Sequence, residues 1–174
     1  MFQSCSSLTT FNTILKSLTD PYLMFGFCSN LTTFESDLSS LTDASSGMFL
    51  DCENLKTFNA DLSSLERCSQ MFAGCKSLSS FTTNLSSLSD AEGMFFGCNL
   101  NKKIVEDVLT MIPEWNDGET HRLDMHIARH SVETFHKIIS NAPNIPVATS
   151  KNNTDLTVSY KGWTIGVSIY NPNV

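Results

Sequence analysis

Charge is scarce in this chain, and positive charge is scarcest. Asp, Glu, Lys and Arg make up 17% of the 174 residues, against roughly a quarter in ordinary globular domains. Eleven Lys and Arg face eighteen Asp and Glu, for a net charge of −7. Residues 1–100 carry −6 of that and the remainder −1. So acidic a surface excludes phosphate-backbone binding, which needs a basic face, and no nucleic-acid partner is expected. Long apolar runs are missing too. None reaches the ~18–20 residues of a membrane span, so no membrane insertion is expected. No basic region followed by an apolar run opens the chain, so no signal peptide is visible.

The usual chemical motifs are also absent. There is no C-x-x-C pair, no G-x-S-x-G and no Gly-rich phosphate loop. All four histidines (His121, His126, His130, His136) follow residue 100. His126 and His130 are four apart, a spacing that shares a metal only on one helix. The stretch leading to His126 alternates like a strand, and no Glu holds the general-base place of H-E-x-x-H. No catalytic residue, metal or cofactor is expected, and the chain reads as a non-enzyme.

What the chain has is repetition and apolar mass. It is 41% hydrophobic, with 12 Phe, enough for a packed core. One sentence recurs: MFQSCSSLTTFNTILKSL at Met1, MFGFCSNLTTFESDLSSL at Met24, MFLDCENLKTFNADLSSL at Met48, MFAGCKSLSSFTTNLSSL at Met71, and MFFGCNL at Met94. The starts lie 23, 24, 23 and 23 residues apart. A fixed period of this length is the mark of a solenoid. In each repeat a leucine follows the cysteine (Leu8, Leu31, Leu55, Leu78), then a phenylalanine (Phe11, Phe34, Phe58, Phe81). Two more leucines follow: Leu15, Leu38, Leu62, Leu85, then Leu18, Leu41, Leu65, Leu88. One repeat cannot bury these alone; a row of them makes one continuous core.

The segment around Phe81 reads as a short strand, Phe inward and Ser or Thr on either side. One such strand per repeat predicts a parallel sheet, with five strands ~4.8 Å apart. The arc from Ala91 through Phe95 reads as an irregular or short helical return. Five of the six cysteines (Cys5, Cys28, Cys52, Cys75, Cys98) hold one repeat position. The sixth, Cys68, aligns with Ala44 and Ala91, which points to small buried volume rather than sulfur chemistry. Asp37, Asp61 and Asn84 share a position and read as turn residues at strand ends, in preference to a cation ladder.

The leucine spacing, the closing aromatic and the G-C-x-x-L junction resemble BspA-like leucine-rich repeats, found in bacterial cell-surface and some phage-associated proteins. The likeness covers Met1 to about Leu100. It implies an α/β or β-rich solenoid, an adhesive or protein-binding role and an extracellular or cell-surface location. The K-G-W-T-I segment at Lys161–Ile165 is similar to C-terminal segments of some bacterial members.

After Leu100 the pattern stops. Asn101 caps a predicted helix that ends at Pro113. His121–Ile127 alternates as a half-buried strand, read as the next rung of the sheet. Ser131–Ser140 reads as a second helix. Leu156–Tyr160 and Trp163–Tyr170, joined by Lys161-Gly162, suggest a hairpin. The fold class expected is therefore an α/β repeat solenoid, a leucine-rich-repeat-like stack of ~23-residue coils with a parallel sheet on one face. C-terminal helices and strands cap it. Residues 1–100 form the solenoid, four full repeats and a partial fifth; residues 101–174 form the cap.

A chain that opens inside a repeat leaves Phe2, Leu8 and Phe11 uncovered, so Met1 is expected to be an internal cut or the open end to meet a neighbour. The outward sheet residues are Thr10, Asn12, Thr33, Glu35, Thr57, Asn59, Ser80 and Thr82. They form a flat polar patch suited to a protein or glycan partner. The function expected is non-catalytic recognition or adhesion through this face. The alternative is a structural assembly subunit, of phage-tail or surface-layer type, that self-associates through the uncapped N-terminal coil.

Overall fold

Thr and Ser beside a recurring Phe favour extended backbone, and each repeat forms a short strand there. In the computed structural model these strands are β1 (Thr10–Phe11), β2 (Thr33–Asp37), β3 (Thr57–Asp61) and β4 (Ser80–Thr82). The structure describes residues 2–45, 47–128, 137 and 155–169. The four strands pair in chain order, all parallel, in one sheet. Thr10, Thr33, Thr57 and Ser80 form one row across it; Phe11, Phe34, Phe58 and Phe81 form the next. The expected fifth strand of this sheet does not form. After Leu100 the sequence carries Asn101-Lys102-Lys103, not a Ser/Thr pair before Phe, and the chain enters a helix.

The phenylalanines make two ring columns. Along the strand column, Phe11–Phe34, Phe34–Phe58 and Phe58–Phe81 have centroids 5.4, 5.5 and 5.4 Å apart and lie nearly parallel. The Phe of each Met-Phe pair builds the second column. Phe2–Phe25, Phe25–Phe49 and Phe49–Phe72 each sit at 5.4 Å, and Phe72–Phe95 at 5.8 Å. Edge-to-face contacts of 4.7–5.5 Å bind the columns to each other. Both arrangements suit the ring quadrupole. Removing one fully buried ring, such as Phe58, costs about 3–5 kcal/mol.

The Met-Phe arc is bonded from repeat to repeat as well. Phe25 N–H donates to Met48 O and Phe27 N–H to Leu50 O; Phe49 and Asp51 donate to Met71 O and Ala73 O; Phe72 and Gly74 donate to Met94 O and Phe96 O. Each arc is bracketed by two residues of positive φ: Leu23 and Phe27, Gly47 and Asp51, Gln70 and Gly74, Gly93 and Gly97. The cysteine closes the arc. Its thiol donates to the carbonyl of the Met-Phe phenylalanine one repeat earlier: Cys28 to Phe2 O (2.8 Å), Cys52 to Phe25 O (3.0 Å), Cys75 to Phe49 O (3.3 Å) and Cys98 to Phe72 O (3.1 Å). Position and chemistry agree: the thiol is small enough to bury and still a weak donor. All six cysteines are free. Burial raises the pKa of Cys28, Cys52, Cys68, Cys75 and Cys98, to about 12 for Cys52 and Cys98, so these thiols stay protonated and unreactive.

Beyond the fourth strand the chain builds a second sheet. It contains β5 (Ala91–Leu100), β6 (His121–Ile127), β7 (Asp155–Tyr160) and β8 (Trp163–Ile169), in the order β5-β6-β8-β7. β5 is the arc read from sequence as irregular or helical. It is a strand because β6 lies beside it, parallel, with register breaks on either side of Phe95. The left-handed Gly93 and Gly97 fall within those breaks. β6 thus pairs with β5 and β8 rather than forming the next rung of the first sheet. β7 and β8 form an antiparallel hairpin. Lys161 and Gly162, both at positive φ, make its two-residue turn.

Between β5 and β6 lies α1 (Lys102–Met111), the one helix resolved as an element among the described residues. Asn101 Oδ1 accepts from Ile104 N–H at 3.1 Å, the N-cap bond. Ile112 is extended because Pro113 follows it. The Lys161 ammonium donates to the free carbonyls of Leu109, Thr110 and Ile112 at the far end. Ile104, Val105, Val108 and Leu109 join one hydrophobic cluster with the buried residues of both sheets. The helix expected over Ser131–Ser140 lies outside the described residues. No helix among the described residues is long and apolar enough to cross a membrane.

The paired left-handed positions carry a stability test. Gln70, exposed and at φ 58°, pays a strain that glycine escapes. Gln70→Gly is expected to raise stability by about 0.5–1 kcal/mol in calorimetry, after the entropy glycine adds to the unfolded chain. Gly74→Ala, at φ 76° and with its new methyl against Asp51 Oδ1, is expected to lower it by about 1–2 kcal/mol. A Gln70→Gly protein less stable than the parent would contradict this reading of the arc.

Candidate functional site

The polar patch of the first sheet is held in place by the phenylalanine register. Because Phe34 and Phe58 point inward, their neighbours Thr33, Glu35, Thr57 and Asn59 point outward. Glu35, Asn59 and Thr82 form a second outward row beside the Thr33–Thr57–Ser80 row. Thr10, Asn12, Glu35, Asn59, Ser80 and Thr82 are exposed; Thr33 and Thr57 are half-buried between neighbours. Asn12 follows β1 and extends the face at its first edge. All eight residues expected to form the face therefore lie together.

Their hydrogen-bonding groups set them apart from the other Ser, Thr and Asn side chains. Many of those are used between repeats. Thr32 Oγ1 donates to Thr9 O, Ser36 Oγ to Thr13 O, Ser79 Oγ to Lys56 O and Ser87 Oγ to Ser63 O. Asn30 and Asn54 bond to Ser6 O and Ser29 O. By contrast, none of the eight face residues makes a side-chain hydrogen bond or ion pair within the described residues. At one edge, Asn59 and Thr82 border a shallow, open depression of about 310 Å³ shared with Ala60, Asp61, Thr83 and Asn84. Thr83 Oγ1 is the buried side-chain oxygen left without a partner among the described residues.

Asp37, Asp61 and Asn84 are turn residues, as the sequence suggested. Each side-chain oxygen accepts the backbone N–H two residues on, from Ser39, Ser63 and Ser86, at 3.0, 2.9 and 2.9 Å. Ser39 Oγ and Lys16 add to the bonds of Asp37 and lower its pKa. Among the described residues no group of His, Cys, Asp and Glu is placed to hold a metal ion.

Two sites were hidden from sequence reasoning. The first surrounds His121, which stacks on Trp115 with centroids 4.6 Å apart and leans on Trp163. Its Nδ1 lies 2.8 Å from Ser89 O, and its Nε2 lies 3.1 Å from each Asp117 carboxylate oxygen. Burial opposes a charge on this ring, but the Ser89 carbonyl and the Asp117 carboxylate outweigh it and raise its pKa. Trp115 Nε1 donates to Leu88 O and Trp163 Nε1 to Pro113 O, so the cluster ties the C-terminal hairpin to the fourth repeat. The alternation of β6 did place His121 on the inward side; nothing local announced the two tryptophans.

The second is a trough on the outer face of the second sheet, where Phe96, Arg122, Asp124, His126 and Ser168 surround Gly166. His126 belongs to it, with Nδ1 accepting from Gly97 N–H at 3.0 Å. His130 and His136 lie outside the described residues. In the sequence Phe96 is only part of the fifth repeat segment, and the trough exists only once β8 pairs with β6.

Comparison of the chain with protein-family models, with curated proteins and with solved structures finds no match.

The His121 cluster has a definite pH dependence. Its folded pKa is raised, so its contribution is complete below the unfolded value of 6.5 and disappears as pH rises through the folded value. Asp117 has a lowered pKa, led by the Glu119 N–H bond, so its part disappears only in acid. The melting-temperature gap between the parent and His121→Gln is expected to be widest near pH ~5–6 and to narrow as pH rises above about 7. A gap unchanged across that range would mean that His121 does not titrate in this site.

Proposed function

We propose that the chain is a non-catalytic recognition or adhesion module that binds protein or glycan through the polar face of its first sheet. In this reading residues 1–100 are a leucine-rich-repeat solenoid of the BspA-like kind, and residues 101–174 cap its C-terminal end. The in-register strands, the paired arcs and the two phenylalanine columns support the solenoid. The capping role is supported by the apolar side of α1, which continues the same core. An extracellular or cell-surface location follows from the resemblance alone.

One observation carries the binding reading. Thr10, Asn12, Thr33, Glu35, Thr57, Asn59, Ser80 and Thr82 keep their side-chain donors and acceptors uncommitted within the described residues, while neighbouring hydroxyls and amides are used internally. A polar row with its bonding groups unspent suits a partner rich in hydroxyls or exposed backbone. Four strands at ~4.8 Å spacing and ~15 Å length give roughly 300 Å². A stable interface uses about 800 Å² per partner. Binding by one copy is therefore weak and gains strength through display in many copies.

A second reading, a structural assembly subunit, has its own observation. Three of the four exposed large apolar side chains among the described residues lie in the first repeat or at the start of the second: Ile14 is 68% exposed, Tyr22 63% and Phe27 42%. Phe2, Leu8, Leu15 and Leu18 are only partly covered. An end of this kind suits stacking on a second copy.

The test displays the chain in many copies on beads against a glycan array and host-surface protein extracts. Simultaneous Ala substitution of Thr33, Glu35, Asn59 and Thr82 is expected to abolish capture with the melting temperature unchanged. Retained capture would move the site elsewhere. Sedimentation of the same preparation separates the second reading, since a strict monomer at every concentration rules out end-to-end stacking.

A further inference from the structure

The outer face of the second sheet carries a second cluster of polar groups, separate from the polar face of the first sheet (the ladder face). On β6, Arg122, Asp124 and His126 point outward, and on β8 Thr164, Gly166 and Ser168 stand opposite them in register. Thr157 of β7 faces Gly166 from the other side. Phe96 of β5 rises as a wall. It is 58% exposed, the one large apolar side chain of the second sheet so exposed among the described residues. The cavity they line has a volume of about 280 Å³. That is just below the roughly 300–1,000 Å³ of drug-sized pockets and suits one ring-sized ligand.

The walls are prearranged. Asp124 Oδ2 accepts from Gly93 N–H and from Arg122 Nε, both at 3.0 Å. These bonds lay the carboxylate across Gly166, where a Cβ would meet Asp124 Oδ1 at 2.2 Å. Gly166 has no positive φ to explain it; its missing side chain is what leaves the floor open. Oδ1 has no hydrogen-bond partner among the described residues. The Phe96 ring is held against the His126 imidazole, centroids 4.5 Å apart, and Gly97 N–H fixes that imidazole through Nδ1.

We propose that this trough binds a single saccharide ring, free or at the end of a glycan. The Phe96 face takes the apolar C–H side of the ring. Asp124 Oδ1 accepts from its hydroxyls, and the Ser168 and Thr157 hydroxyls exchange hydrogen bonds with the rest. The site stands apart from the ladder face and does not rest on that face's role. A cationic ligand fits less well. Arg122, which also pairs with Glu92 at 3.3 Å, already neutralises Asp124, so the carboxylate offers a directed acceptor rather than net charge.

The test is saturation-transfer NMR and calorimetry on the full chain with methyl glycosides of glucose, galactose, mannose and N-acetylglucosamine, alongside a glycan array. Choline and Nα-acetyl-lysine serve as cationic probes. At least one glycoside or arrayed glycan is expected to bind, with a Kd of about 0.1–10 mM for the single ring. Phe96→Ala and, separately, Gly166→Ala are each expected to weaken it at least about tenfold. Gly166→Ala fills the floor without touching the core, so it serves if Phe96→Ala unfolds the chain. The quadruple ladder-face variant is expected to bind the glycoside as the parent does, so the two sites fail or stand separately. No binding across panel and array, binding that survives both substitutions, or a preference for choline or the lysine probe would each overturn the proposal.

Discussion

The register of the four parallel strands is the constraint on which the rest of the structure depends. A strand presents alternate residues to opposite faces, so a slip of one residue would turn Phe34 outward and Thr33 inward. The alignment that sets Phe34 over Phe58 also sets Thr33 over Thr57 and Glu35 over Asn59. Core and candidate face are two consequences of one pairing. The Met-Phe arc repeats the logic on the return side, where Phe25, Phe49 and Phe72 each donate to the next repeat while their rings stack.

The arc also explains residue choices that look arbitrary in isolation. The place before each cysteine needs positive φ and is filled by Ser4, Phe27, Asp51, Gly74 and Gly97. Glycine satisfies it at no steric cost; the other residues accept strain. The cysteine is small enough to bury beside the Phe column and still donates to a carbonyl of the previous repeat. Alanine would fit the volume and lose the bond, serine would make the bond at a greater desolvation cost.

Period-based features were legible in the residues before any coordinates. The Leu and Phe spacing predicted parallel strands one per repeat, and β1 to β4 form such a sheet. Asn101 and Pro113 marked the ends of α1 because capping and the loss of a donor act locally. The second sheet was not legible. β5 looks like any other arc, and it becomes a strand only because β6, a helix and a loop away in sequence, pairs with it. The trough is more remote still. Asp124 and Gly166 read as an unremarkable acid and a strand glycine until the β6–β8 pairing sets them face to face. His121 was legible as inward-facing, but its partners Trp115, Asp117 and Ser89 come together only in the tertiary fold.

The most direct test of the account is amide hydrogen exchange that compares two classes of backbone bond. Phe25, Phe49 and Phe72 donate to the following repeat; Cys28, Cys52 and Cys75 donate within their own turn, to Phe25, Phe49 and Phe72 carbonyls. If registered pairing between repeats holds the fold, a turn cannot persist without its neighbour, and both classes exchange together as one slow cooperative unit. Turn amides that stay protected while the cross-repeat amides exchange at unfolded-chain rates would contradict it.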